Sequence, residues 1–102
     1  MSQVDIPWSQ IAIEFQKDMN LLGWNLPEDY FAEGPSVLNS LIEQMLLSQP
    51  NQIKELCYRL SIAEVNLTAV ITLEDKDQIA PQLTELIIQR CKARIQLRKH
   101  FS

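Results

Sequence analysis

Arg90, Arg94 and Arg98 recur at i, i+4 and i+8 near the end of the chain, a spacing that stacks three guanidinium groups in one ridge along a helix. With Lys92 and Lys99 they make five cations within residues 86–102, where no Asp or Glu occurs, although the 102-residue chain carries a net charge of −4. An arginine does not shed its proton on burial, so each member of the ridge needs an anion, a carbonyl or water beside it. Three sources of that counter-charge are open. Glu14, Asp18, Glu43 or Glu55 of the same chain could clasp the guanidiniums while their stems cover apolar surface. Otherwise a carboxylate-rich protein or a phosphate would meet an exposed ridge. Arg90, Arg94, Arg98 and Lys99 are therefore candidate partner-binding residues.

Trp8, Trp24, Tyr30 and Phe31 gather in the first third, where most of the unbalanced acid also lies: residues 1–50 hold seven acids against Lys17 alone. Residues 51–102 hold eight bases against six acids, so the two halves attract each other. Large aromatic side chains belong by default to a core. If Trp24, Tyr30 and Phe31 are partly exposed, they form an aromatic patch with an acidic rim, a composition enriched in protein interfaces, and join the candidate partner-binding set.

Other chemistries find fewer residues. His100 is the single histidine, and Cys57 and Cys91 have no paired spacing, so a structural zinc lacks ligands. Both cysteines read as small core residues of a reducing compartment, with some thiolate character expected at Cys91 from its cationic neighbours. His100 lies nine positions after Cys91, about 13 Å along a straight helix, too far for a nucleophile and its base. Glu28-Asp29 and Glu74-Asp75 are adjacent acids, whose side chains point apart on a helix, and neither Gly23 nor Gly34 belongs to a phosphate-cradling loop. A protein that is not an enzyme, without cofactor or metal, is the expectation.

The positions of these residues depend on helices. Glycine is scarce, no Asn-Gly or Asp-Gly turn occurs, and the β-branched cluster at 68–72 lies within helical spacing. Pro7 opens a first helix with apolar positions Trp8, Ile11, Ala12, Phe15, Met19 and Leu22, stopped by Gly23. Pro27 suits the start of a short helix carrying Tyr30 and Phe31 to about Gly34. Pro35 begins another, with Val37, Leu38, Leu41, Ile42, Met45 and Leu46 directed inward. Pro50 breaks the pattern before Ile53, Leu56, Cys57 and Leu60. Ser61 and Glu64 match a capping box, with Leu60 and Val65 placed as a hydrophobic staple for a helix carrying Ala69, Val70 and Leu73. After the charged bend at 74–77 comes the longest helix, from about Gln78 or Pro81 to near the C-terminus. Its polar side is Gln82, Glu85, Gln89, Lys92, Gln96 and Lys99, and the arginine ridge runs through the otherwise apolar remainder.

The segment 53–70, Ile-Lys-Glu-Leu-Cys-Tyr-Arg-Leu-Ser-Ile-Ala-Glu-Val-Asn-Leu-Thr-Ala-Val, resembles a helix-turn-helix pattern, with Cys57 as the small residue of its first helix, Ser61 at the turn, and Leu67 and Val70 in the second. The resemblance implies Asn66 and Thr68 as base-reading residues, with Arg94 and Arg98 on phosphates. Ser61 stands where such turns usually carry glycine, and the reading helix offers no Arg or Lys. A structural helical corner accounts for the same spacing.

These patterns predict an all-α fold: a compact single-domain bundle of five to six helices with a long C-terminal helix. No apolar run reaches the roughly 18 residues of a membrane span and no secretion signal opens the chain, so a cytoplasmic location is expected. The expected activity is binding of a protein partner, a second copy of this chain included. A nucleic-acid-binding regulator is the alternative, and a small apolar ligand between helices would leave no trace in the sequence.

Overall fold

A computed structural model describes residues 6–27 and 29–101, with backbone alone at residues 100 and 101. Glu28 and the side chain of His100, a candidate base in the sequence, lie outside the described residues, as does the side chain of Phe101. Five α-helices follow one another: α1 (Trp8–Leu21), α2 (Pro35–Ser48), α3 (Pro50–Arg59), α4 (Glu64–Ile71) and α5 (Ile79–Phe101), with one 3-10 turn at Lys76–Gln78 leading into α5. No strand occurs among the described residues. The all-α bundle with its long last helix is thus the architecture observed.

At 1.5 Å per residue, α5 is about 34 Å long, against a longest molecular dimension of 39 Å. It serves as the spine. Asp18 meets Arg94 and Glu14 meets Arg98, so α1 runs antiparallel to the C-terminal half of α5. The Thr84 hydroxyl donates to Asn39 Oδ1 at 3.4 Å, while Leu46 and Leu47 approach Ile79 and Ala80, so α2 runs antiparallel to the N-terminal half. Ala63 and Asn66 lie near Gln89 and Leu86, and Ile71 near Ile79, which gives α4 the same sense.

The helices end where local chemistry requires. Gly23 has φ +93°, and the amides of Gly23 and Trp24 donate to the carbonyls of Asn20 and Met19, the two bonds of a Schellman motif. Gly34, at φ 118° and ψ −169°, occupies a region essentially reserved for glycine just before Pro35 starts α2. Pro50 takes the first position of α3. The helix expected around Tyr30 and Phe31 is instead a chain of turns: Tyr30, Ala32 and Gly34 amides donate to Pro27, Asp29 and Phe31 carbonyls, each three residues back. Side chains of α1 tie this segment down, Trp8 Nε1 donating to the Phe31 carbonyl at 2.7 Å and Gln16 Nε2 to that of Leu26 at 2.9 Å.

The capping box does not form. Helix α4 starts at Glu64 with Ala63 before it and no side-chain cap, and Val65 is exposed, so it makes no staple with buried Leu60. Ser61 takes φ +59°, and the amides of Ser61 and Ile62 donate to the carbonyls of Tyr58 and Cys57, a second Schellman motif with serine in the left-handed position. This arrangement buries Ile62, which an N-capping role for Ser61 would not require. Exchanging Ser61 for glycine removes the left-handed penalty of roughly 1–2 kcal/mol and adds unfolded-state freedom of about 0.5–1 kcal/mol. S61G is expected to raise the urea midpoint, with a net gain of about 0.5–1 kcal/mol and an unchanged slope; a lowered midpoint would show that the serine side chain supports the corner.

Candidate functional site

The same face of α1 that buries Ile11, Phe15 and Met19 also buries two carboxylates, Glu14 and Asp18, at 2% and 4% exposure. They are i, i+4 neighbours, so both point toward the facing helix. Arg94 stands between them: its Nη1 lies 2.5 Å from Asp18 Oδ2 and its Nε 3.6 Å from Glu14 Oε2. Arg98 donates from Nη2 to Glu14 Oε1, and Lys17, on the same helix as Glu14, reaches the same oxygen at 3.8 Å. Burial works against the charge on Arg94, but the Asp18 hydrogen bond and the charges of Asp18 and Glu14 outweigh it and hold the guanidinium above its ordinary pKa. Arg90 takes a different partner. Its Nε donates to the Leu60 carbonyl at 2.8 Å, one of the free acceptors at the negative end of α3.

Arg94 and Arg98 therefore find anions, and Arg90 a carbonyl, within the chain. Lys99 is exposed on the outer side of α5. Of the acids named for this purpose, Glu14 and Asp18 take part, whereas Glu55 pairs with Arg59 at 3.9 Å and Glu43 accepts from Asn39 at 3.2 Å.

The aromatic residues divide. Phe31 is 3% exposed and receives three rings edge-on, those of Trp8, Phe15 and Tyr30 at centroid distances of 6.2, 5.6 and 5.0 Å. It belongs to the core, not to a patch, because the turn at residues 29–33 folds it inward under α1. Tyr30 beside it is half-buried, as is Trp24 against the core, where the Trp24 indole donates to Gln52 on α3. Among the helix-turn-helix residues, Asn66 and Thr68 are exposed on α4, and Asn66 also lines a hollow of about 230 Å³ between the corner and α5.

Cys57 and Cys91 are free and buried. Burial pushes Cys57 up to about 11 from an ordinary 9.0. Burial likewise raises Cys91 to about 12, with Arg94 and Arg90 lowering it less than burial raises it, which overturns the expectation of thiolate character. Because the folded values lie above the unfolded one, both thiols favour the native state fully below pH 9.0, and that contribution disappears as pH rises through about 11 and 12. The stability difference between wild type and a C57A/C91A variant should therefore shrink above pH 9.0, as followed by denaturant unfolding across alkaline pH. A constant difference would contradict thiol burial in the native state, and so would rapid reaction of either thiol with an aromatic disulfide reagent near neutral pH.

A surface feature lies elsewhere, at the opposite end of the spine from the ion cluster. The C-terminal part of α2, the end of α4 and the start of α5 enclose an open groove of about 700 Å³, lined by Leu46, Leu47, Ile71, Ile79 and Ala80 with Glu43, Lys76 and Asp77. Leu47 is 89% exposed and Ile71 also reaches solvent. The apolar stripe expected for α2 ends at Leu46 and misses Leu47, whose apolar side chain just outside that stripe was the one sign of this groove in the sequence. Among the described residues, no group of His, Cys, Asp and Glu is placed to hold a metal ion, and no helix is long and apolar enough to cross a membrane. Comparison with protein-family models, curated proteins and solved structures finds no match to this chain.

Proposed function

We propose that this chain is a non-enzymatic protein-interaction module of the cytoplasm, which receives an amphipathic segment of another protein in the groove between α2, α4 and α5. The observation that carries the reading is Leu47, almost wholly exposed beside four further apolar residues around one hollow. A single exposed leucine is ordinary on a protein surface; one at the lip of an apolar groove exposes area that a bound helix would remove from water. The open form favours a polymer over a small ligand, which binds with most of its surface enclosed. The arginine ridge is a weaker candidate, since its anions are already supplied from α1.

The test is selection from a library of helical peptides about four turns long, followed by mapping of amide shifts on isotope-labelled protein. Binders should shift Leu46, Leu47, Ile71 and Ile79, and L47D should abolish binding while leaving the melting temperature within about 4 °C, as for other exposed substitutions. Absence of binders, or shifts confined to other surfaces, would overturn the reading.

The nucleic-acid alternative is favoured by one observation, the left-handed Ser61, which supplies the turn geometry that glycine supplies in helix-turn-helix corners. Against it, Arg94 and Arg98 are held by carboxylates, and the net charge is −4. Duplex affinity that is measurable at low salt and falls steeply as salt rises would promote it above the first reading.

A further inference from the structure

Resting on the groove reading above, we propose that the occupant is a basic amphipathic helix, selected by an acidic rim that this chain leaves uncompensated. Glu43 and Asp77 line the groove against the one ammonium of Lys76, and two further acids, Glu74 and Asp75, are exposed on the adjoining bend. The two halves of the molecule treat their acids differently. At the far end of α5, Glu14 and Asp18 are buried and matched by arginines, whereas among the described residues no ion pair neutralises Glu43, Glu74 or Asp77. Asp75 and Asp77 have a structural reason to be acidic, since the Asp75 carboxylate accepts from the Asp77 amide and both stand before the positive end of α5. Glu43 lies in the interior of α2, away from either helix end and on the wall of the groove, where the neutral Asn39 amide donates to it but leaves its charge unmatched.

An apolar floor with a negative rim is complementary to a helix that carries leucine-like residues on one face and Lys or Arg beside them. The same charge opposes a second copy of the chain in this position, because a two-fold contact sets the patch against itself and brings like carboxylates together. The floor provides attachment and the rim provides choice.

Three helical peptides with one apolar face and flanking Lys, Gln or Glu would separate these contributions, titrated into the full chain and into E43K/D77K. The lysine peptide should bind about tenfold more tightly than the glutamine peptide at low salt, and the glutamate peptide more weakly than either. That preference should fall as salt rises and vanish or reverse in E43K/D77K, which should stay folded and melt only a few degrees lower through loss of the Asp77 charge before α5. Equal binding of the lysine and glutamine peptides would overturn the charge selection and leave the groove reading intact. Binding by none of the three would overturn both. Concentration-dependent self-association with amide shifts in the groove would replace the basic helix with a second copy.

Discussion

Substituting Arg94 with alanine is expected to destabilise the fold by about 3–5 kcal/mol, because it strands charges that the interior cannot tolerate alone. Glu14 and Asp18 both lose a partner in that variant, and both are nearly inaccessible to water. Arg98 is a useful contrast. Its side chain is 57% exposed, and Glu14 keeps Arg94 when it is removed, so R98A should cost less than about 1 kcal/mol. Urea unfolding of the two variants measures the difference, and equal losses would show that the cluster is not ordered as described. The triple variant E14L/D18L/R94M provides the converse: replacing the buried ions with apolar groups of similar size should restore stability to within about 1–2 kcal/mol of wild type, or exceed it. A triple variant as unstable as R94A would mean that the charges contribute more than their mutual compensation.

Truncating Phe31 to alanine should have an effect of similar size, about 3–5 kcal/mol, since it removes a fully buried ring and three edge-on aromatic contacts. For a domain of this length each kcal/mol lowers the melting temperature by about 4–8 °C, so F31A should melt tens of degrees lower or fail to fold. F31L retains volume and should lose about 1.5 kcal/mol or less, which keeps the prediction testable if alanine is not tolerated. Half-buried Tyr30 should show a smaller loss on truncation than Phe31. If F31A instead melts near wild type, the ring does not occupy the centre of the aromatic cluster and the turn at residues 29–33 is wrongly placed.

Much of the bundle was legible because its boundaries are covalent facts. Gly23, Pro35 and Pro50 fall where backbone geometry stops or starts a helix, whatever the rest of the chain does. The ion cluster was half legible: Glu14 and Asp18 share a turn spacing with the α1 core stripe, and opposite net charges in the two halves pointed to pairing across them. Which acids would reach the arginines could not be read, because that depends on how α1 slides along α5. The errors arose where a local signal competed with packing. Serine three residues before glutamate is a helix start by propensity, yet burying Ile62 made Ser61 a helix end. Pro27 and Gly34 bracket a helix on paper, yet the segment folds into turns that bring Phe31 into the core, anchored by Gln16 at the Leu26 carbonyl and Trp8 at that of Phe31. The groove was least legible, since it forms only when α2 packs beside the junction of α4 and α5, and the single surplus leucine at 47 does not say what it borders.

The Arg94–Asp18 and Arg98–Glu14 bonds join residues 76 and 84 positions apart. During synthesis α1 thus emerges with acids that only Lys17 can offset locally, and its arginines follow only when α5 is made. Packing among α1, α2 and α3 does not require α5, whereas the ion cluster closes only once α5 has been made.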